Sequence, residues 1–93
     1  MRIYIAGPVD GVPDCLDRFG AAELVLIGEG HQPVNPLPGA PAGASWEAHM
    51  KRDIRLLLEC DAILLLDGWE RSRGARLEAY IADQIGIRRY SKA

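Results

Sequence analysis

The chain has 93 residues, of which 48% are hydrophobic and 26% are charged, and its formal net charge is −2. This composition is typical of a small globular domain and excludes an intrinsically disordered chain. The 11 basic and 13 acidic residues are interspersed, which excludes a strongly basic surface for a nucleic acid polymer or a membrane. We therefore predict one domain over residues 1–93.

The first half of the chain predicts a strand, a helix and a second strand. Residues 2–6 are rich in β-formers and predict a central strand. Asp14 is predicted to cap a helix that extends to about Gly28. The apolar face of this helix carries Cys15, Phe19, Ala22 and Leu26. Residues 33–36 predict an edge strand, because their prolines cannot donate hydrogen bonds to a sheet.

The second half repeats the alternation of helices and strands. Residues 37–44 predict a surface loop that could act as a lid, and Ser45 is predicted to cap the next helix. The apolar positions of that helix are Met50, Ile54, Leu57 and Leu58. Residues 62–66 predict a strand buried on both faces. Leu77, Ile81 and Ile85 predict a last helix, and residues 87–90 a last strand. The alternation indicates an α/β fold with a mainly parallel sheet of about four strands.

The cysteines and the apolar runs indicate a cytoplasmic protein. Cys15 and Cys60 have neither disulfide-framework nor metal-ligand spacing, so we expect buried or partly buried thiols in a reducing compartment. No apolar run approaches the roughly 20 residues of a membrane helix. No signal peptide precedes the first strand, so we expect a cytoplasmic protein, or one made by a virus inside a host cell.

The sequence predicts neither a metal nor a cofactor. His31 and His49 are isolated, and surface or helix-facing positions are the simplest interpretation of both. The glycine-rich motifs that bind nucleoside triphosphates and dinucleotides are absent from the sequence.

Polar residues at strand ends and helix starts predict one site, since ligands of parallel sheets bind outside the carboxyl ends of the strands. The candidates are Tyr4, Gly7, Asp53, Asp67, Trp69, Ser72, Gly74 and Glu78. Glu78 is placed to act as a nucleophile at an anomeric carbon, and Asp53 is the candidate second acid. The alternatives are a surface acid at a helix start for Glu78 and a surface ion pair for Asp53.

Several of these residues also have a simpler structural interpretation. Ser72 and Gly74 at a helix start are consistent with a phosphate cradle, whereas Ser72 alone is equally explained as a helix cap. Tyr4 is explained by core packing, and Trp69 either packs a loop or forms a wall for a flat heterocycle. The neighbouring Arg71, Arg73 and Arg76 form either a phosphate clamp or a solvated helix start.

Three motifs resemble the nucleoside 2-deoxyribosyltransferase family, which includes the 2'-deoxynucleoside 5'-phosphate N-hydrolases. They are YIAGP at residues 4–8, the pair Arg52-Asp53 followed by Asp61, and SRGARLE at residues 72–78. The nearest resemblance is to the short DUF4406 relatives, and it covers nearly the whole chain. It implies a small flavodoxin-like or Rossmann-like three-layer sandwich that forms a homodimer or larger assembly.

The resemblance also implies roles for individual residues. Glu78 would attack C1' of a sugar, Asp53 would orient or protonate, and Tyr4 would form a hydrogen bond near the nucleophile. Gly7, with the adjoining Pro8, would line the sugar pocket, and Ser72 and Gly74 would hold a 5'-phosphate. Tyr80 replaces a glycine that is usual in the family, so we expect altered packing behind the nucleophile.

We therefore expect an enzyme that cleaves or transfers the N-glycosidic bond of a nucleoside or nucleoside 5'-monophosphate through Glu78. Hydrolysis is preferred, because the arginines beside Ser72 favour a phosphorylated substrate. The alternative is a non-enzymatic module that binds or sequesters a nucleotide. The acids at Asp53 and Glu78 favour the enzyme, since a pure binder has little need of acids beside an anionic ligand.

Overall fold

The computed structural model describes residues 1–91, and these form four strands and three helices. The strands are β1 (Arg2–Ala6), β2 (Gln32–Val34), β3 (Ala62–Leu65) and β4 (Arg88–Arg89). The helices are α1 (Cys15–Gly28), α2 (Trp46–Leu58) and α3 (Arg73–Gln84), and a single 3₁₀ turn (Trp69–Arg71) precedes α3. The predicted alternation of strands and helices is confirmed.

The four strands form one parallel sheet in the order β2-β1-β3-β4. The predicted central position of β1 and edge position of β2 are therefore confirmed. Pro33 lies in β2, where an edge tolerates a residue without an N–H donor. β4 is shorter than predicted, although the N–H of Tyr90 still donates to the carbonyl of Ile63 at 2.8 Å.

Alternate residues of β1 point into two separate cores, as the pleat of a strand requires. Ile3 and Ile5 pack under α1 in a cluster completed by Phe19, Leu26 and Ala62. Tyr4 and Ala6 point to the opposite face. The second cluster contains Leu57, Cys60, Ile63, Ala75, Ala82 and Ile87, which come from the α2 and α3 side. The protein is thus the three-layer α/β sandwich that the resemblance implied.

Two predicted apolar faces differ from those in the structure. Leu58 is 55% exposed, because Leu57 takes the core position and the next residue lies about 100° further around the helix. Ile85 is 54% exposed, because α3 ends at Gln84 and Gly86 then turns the chain with φ +80°. The residues of α3 that are buried are Ala75, Glu78, Ala79 and Ala82.

The caps and the cysteines also test the sequence predictions. The Ser45 hydroxyl accepts a hydrogen bond from the N–H of Ala48 at 3.1 Å, so the predicted cap of α2 is confirmed. Asp14 precedes α1 but its side chain makes no capping hydrogen bond, contrary to the prediction. Cys60 is buried and Cys15 is half-buried, both as free thiols. Among residues 1–91, no helix has the length and apolar character needed to cross a membrane.

The carboxyl ends of β1 and β3 meet where the strand order reverses direction, which is where parallel sheets of this type bind ligands. Gly7 follows β1 at this point and packs directly against Leu66. A Cβ atom on residue 7 would lie 2.9 Å from Cβ of Leu66, so only glycine fits without a backbone shift. Gly7 also lines a cavity that opens at this point.

Candidate active site

A cavity of about 650 Å³ opens beside the carboxyl ends of the strands. It is lined by residues 7–10 after β1, by Pro36, Leu37, Ala40 and Ala44 after β2, by Trp46, His49, Met50 and Asp53 of α2, and by residues 71–75 and Glu78 around α3. Its volume lies in the range of small-molecule sites. The cavity therefore has the place and size expected of a ligand site in this fold.

Glu78 and Tyr4 form a buried pair at this cavity. Glu78 lies in α3 and is 5% exposed, and among residues 1–91 it is the one charged residue that is buried. The hydroxyl of Tyr4, which is fully buried in β1, donates a hydrogen bond to Oε2 of Glu78. Tyr4 is thus both a core aromatic and a hydrogen-bond donor at the cavity, while Glu78 also contributes to the cavity lining.

Burial governs the protonation of both members of the pair. It raises the pKa of Glu78 to about 8, the Tyr4 hydrogen bond acts in the opposite direction, and the charge of Asp53 adds to the rise. Burial and the adjacent Glu78 charge also raise the pKa of Tyr4, so its hydroxyl keeps its proton and serves as a donor. The pair holds a carboxyl group that gains or loses its proton near neutral pH.

Asp53 lies on the α2 side of the same cavity. Its side chain is 21% exposed and lies 3.3 Å from Nη1 of Arg52, measured to Oδ1. Burial raises the pKa of Asp53, while the positive charges of Arg52 and His49 lower it. Asp53 is therefore both the paired helix acid and the cavity acid that the sequence left as alternatives.

His49 and Trp46 line the cavity although the sequence interpretation did not select them. They share one face of α2 with Met50 and Asp53, at the spacing of three, four and seven residues from Trp46 that brings helix positions together. This spacing was the signal that could have identified them. Arg73 stacks on the Trp46 ring, with its guanidinium carbon 3.7 Å from the ring centroid.

Ser72 and Gly74 have clear structural roles beside any role in binding. The Ser72 hydroxyl accepts from the N–H of Ala75 at 3.2 Å and so caps α3. A Cβ atom on residue 74 would lie 3.1 Å from Sδ of Met50, so the glycine permits close packing of α2 and α3. The first N–H groups of α3, those of Arg73 and Gly74, have no acceptor inside the helix, and both residues line the cavity.

Some predicted site residues lie elsewhere. Asp67 and Trp69 are not part of the cavity lining. The 3₁₀ turn packs Trp69 against the core beside β4, where Arg89 lies 5.1 Å from its ring centroid. The backbone carbonyl of Asp67 accepts from Arg18 at 2.7 Å. Pro8, by contrast, lines the cavity beside Gly7.

The three arginines near Ser72, and Tyr80, lie at different positions relative to the cavity. Arg71 and Arg73 line the cavity. Arg76 lies outside the lining and donates to the carbonyl of Glu70 at 2.9 Å. Tyr80 is 62% exposed, so the expected change in packing behind Glu78 does not occur. Within residues 1–91, no group of three or more His, Cys, Asp or Glu side chains is arranged to hold a metal ion.

Comparison with known proteins gives a family and similar solved structures. The model of the DUF4406 family, described as a domain of unknown function, matches residues 1–89. The solved structure of the 2-deoxyribosyltransferase from the psychrotolerant bacterium Bacillus psychrosaccharolyticus superimposes with a TM-score of 0.70 and 25% sequence identity. This alignment covers 94% of the present chain and 68% of the other, which is described as a biocatalyst for the synthesis of nucleosides. No curated protein gives a significant match to the sequence.

Proposed function

The chain belongs to the DUF4406 family, as its motifs predicted, and from this premise we propose that it cleaves N-glycosidic bonds with Glu78 as the nucleophile. The substrate is a nucleoside or a nucleoside 5'-monophosphate, and water is the preferred acceptor of the sugar. The fold shared with a 2-deoxyribosyltransferase supports glycosyl chemistry in general. The assignment of hydrolysis and of individual residues rests on the cavity.

The observation that carries the proposal is the buried pair of Glu78 and Tyr4 beside the cavity. Burying a carboxyl group destabilises its ionised form, so a fold has no structural need for one at this position. Such a group is useful when a cationic centre develops next to it, because the poorly solvated charge then interacts strongly. The anomeric carbon of a sugar that loses its base is a centre of this kind.

In the first step, the Glu78 carboxylate attacks C1' as the bond from C1' to the base nitrogen breaks. The base leaves with the bonding electrons and takes a proton from Asp53, and the sugar stays bound to Glu78 as an ester. Asp53 is suited to this role because it lines the same cavity and burial raises the pKa of its carboxyl group, while Glu78 attacks in the ionised form that predominates above about pH 8. Tyr4 orients the attacking carboxylate through its hydroxyl.

In the second step, a water molecule attacks C1', the bond from C1' to Glu78 breaks, and the water proton returns to Asp53. The products are the free base and the sugar with a hydroxyl at C1'. If a second base attacked instead of water, the same ester would give transfer. The hydrolysis proposal depends on the N-terminal turn of α3, because Arg71, Arg73 and Ser72 line the cavity there and suit a 5'-phosphate.

The test is to incubate the protein with ribo- and 2'-deoxyribonucleoside 5'-monophosphates and the matching nucleosides, and to measure free base by chromatography. Glu78→Ala is assayed alongside Glu70→Ala, which changes an exposed glutamate outside the cavity lining. We expect base release by the wild type and by Glu70→Ala, and a loss of about 10³-fold or more in Glu78→Ala.

Three results would contradict parts of this proposal in different ways. Equal release by Glu78→Ala would exclude Glu78 as the nucleophile. Release only when a second base is supplied would replace hydrolysis with transfer. Stabilisation of the wild type by a nucleotide without any base release would favour the nucleotide-binding module instead.

A further inference from the structure

We propose that Arg52 is a positioning residue that fastens the loop of residues 36–44 to α2 and thereby holds one wall of the cavity in place beside Asp53. The inference rests on the proposed function only for its kinetic consequence. Its structural part concerns the wall itself and is measured without any substrate. Arg52 belongs to a motif of the sequence to which no role has yet been given.

Beyond Leu37, the loop of residues 36–44 has few contacts of its own that hold its position. It contains prolines at 36, 38 and 41, which have no N–H donor, and glycines at 39 and 43 with positive φ. Its internal backbone bond joins the N–H of Ala40 to the carbonyl of Leu37 at 3.3 Å. Nevertheless Pro36, Leu37, Ala40 and Ala44 line the cavity. The start of the loop is held, because Leu37 packs against the cluster on the α1 side and its N–H donates to Oδ1 of Asn35 at 3.0 Å. Residues 38–44 therefore depend on an attachment from outside the loop.

Arg52 supplies that attachment through its guanidinium group. Nη1 donates to the carbonyl of Pro36 at 2.9 Å, and Nη2 donates to the carbonyl of Pro38 at 3.2 Å. Within residues 1–91, these two are the hydrogen bonds that join the loop to a helix. The planar guanidinium presents several donors in a fixed arrangement, so one side chain holds two carbonyls of the loop at once.

The same guanidinium also contacts the cavity acid. Nη1 of Arg52 lies 3.3 Å from Oδ1 of Asp53, so one nitrogen is shared between the loop carbonyl of Pro36 and the carboxylate. The positive charge lowers the pKa of Asp53 against the effect of burial. Arg52 thus couples the position of the loop to the protonation of Asp53, and the two effects can be separated by substitution.

Replacing Arg52 by lysine or by glutamine separates its effect on the loop from its effect on the protonation of Asp53. Arg52→Lys keeps a positive charge beside Asp53 but loses the planar guanidinium whose two nitrogens donate to the two loop carbonyls. Arg52→Gln removes the charge as well. Arg55→Lys is the matched control, since Arg55 is an exposed arginine on the same helix.

The decisive experiment is amide hydrogen exchange, without ligand, of the Ala40 N–H, because its bond to the carbonyl of Leu37 lies in the loop whose carbonyls Arg52 holds. We expect about tenfold faster exchange in Arg52→Lys and Arg52→Gln, and no change in Arg55→Lys, while protection of β1 and β3 reports that each variant is folded. Unchanged exchange in folded Arg52→Lys and Arg52→Gln overturns the proposal. Failure of the catalytic assay leaves this measurement intact, so the two proposals fail separately.

Two further measurements extend the test. In the wild type, nuclear magnetic resonance should detect guanidinium hydrogens of Arg52 that exchange more slowly than those of Arg55, and this needs no variant to fold. In the base-release assay, Arg52→Lys should raise KM with little change in the pH profile, whereas Arg52→Gln should also move the limb that reports Asp53 to higher pH. Identical guanidinium exchange for the two arginines, or a pH profile unchanged in Arg52→Gln, contradicts the assignment.

Discussion

The two faces of the sheet are built from one strand but have different chemistry. On the α1 face, the buried residues around Ile3 and Ile5 of β1 are all apolar, and a hydroxyl, that of Tyr90, occurs only at the partly buried edge of the cluster. On the opposite face, Tyr4 ends in a hydroxyl that bonds to a buried carboxyl group of α3. Neighbouring residues of β1 point to opposite faces of the sheet. One face therefore serves the stability of the fold, and the other also carries a polar group to the cavity.

The difference shows how a small domain can bury an acid. The buried surface of α3 consists of Ala75, Ala79 and Ala82 beside Glu78, and alanines allow a helix to approach the sheet closely. Glu78 then reaches Tyr4, at the expense of stability when the carboxyl group ionises. Large apolar side chains are buried on both faces, Phe19 and Leu26 on the α1 face and Leu57 and Ile63 on the opposite face. Both faces thus contribute to stability, and the face packed against α2 and α3 also carries the groups of the proposed chemistry.

The largest expected effect on stability comes from the apolar face. Phe19→Ala removes a side chain that is 1% exposed, and we expect a loss of about 3–5 kcal/mol in the free energy of unfolding. Leu24→Ala is the control on the same helix, because Leu24 is 72% exposed and its truncation should cost less than about 0.5 kcal/mol. Both values come from urea unfolding at one pH. Similar losses in the two variants would contradict the described core.

Much of the fold could be predicted from the sequence because its signals are local. The prolines around residue 33 predicted an edge strand, and Ser45 predicted the start of α2, because both effects act through the backbone of neighbouring residues. The α3 face was predicted from Leu77, Ile81 and Ile85, of which Ile81 packs against the core, Leu77 is half-buried and Ile85 is exposed. Periodicity assumes that the largest apolar residues are buried, whereas this helix buries alanines and an acid.

The candidate site was only partly predictable, because it depends on contacts between distant elements. Motifs identified Tyr4 and Glu78, but the bond between residues 74 positions apart appears only in the folded chain. Trp69 was selected because it follows a strand, yet the 3₁₀ turn packs it against the core. His49 was dismissed as isolated, since the sequence does not show which face of α2 meets the cavity.

An intermediate effect on the free energy of unfolding, which depends on pH, is expected when Glu78 is replaced by a residue that does not ionise. The pKa of Glu78 is about 8 in the folded protein and has an ordinary value of 4.5 in the unfolded chain. Between these values the unfolded state is ionised while the folded state keeps its proton, so the contribution of Glu78 to stability falls as pH rises. Below this range, both states are protonated and the difference disappears.

Glu78→Gln should therefore match the wild type in unfolding free energy only below the unfolded pKa of 4.5, at about pH 4 or lower. It should exceed the wild type by an amount on the order of a few kcal/mol at pH 9. Urea unfolding at several pH values measures this difference. Glu70→Gln changes an exposed glutamate, and its difference from the wild type should be the same at every pH. A gap between Glu78→Gln and the wild type that shrinks with rising pH would show that the acid is not destabilised by burial.

The smallest effect comes from a single oxygen atom, because Tyr4→Phe keeps the buried ring and removes only the hydroxyl. The exposed Tyr80 provides the control, since Tyr80→Phe removes the same atom where it contacts solvent. We expect Tyr4→Phe to cost about 1 kcal/mol at pH 6, where Glu78 is neutral, and about 2 kcal/mol at pH 9, where the hydroxyl bonds to a carboxylate. The pKa of Glu78 should rise further, because the lost bond lowered it. Urea unfolding at both pH values and a carboxyl titration followed by nuclear magnetic resonance measure these changes. If the cost were the same at pH 6 and pH 9, the hydroxyl would not distinguish the two charge states of Glu78, and Tyr4 would belong to the core alone.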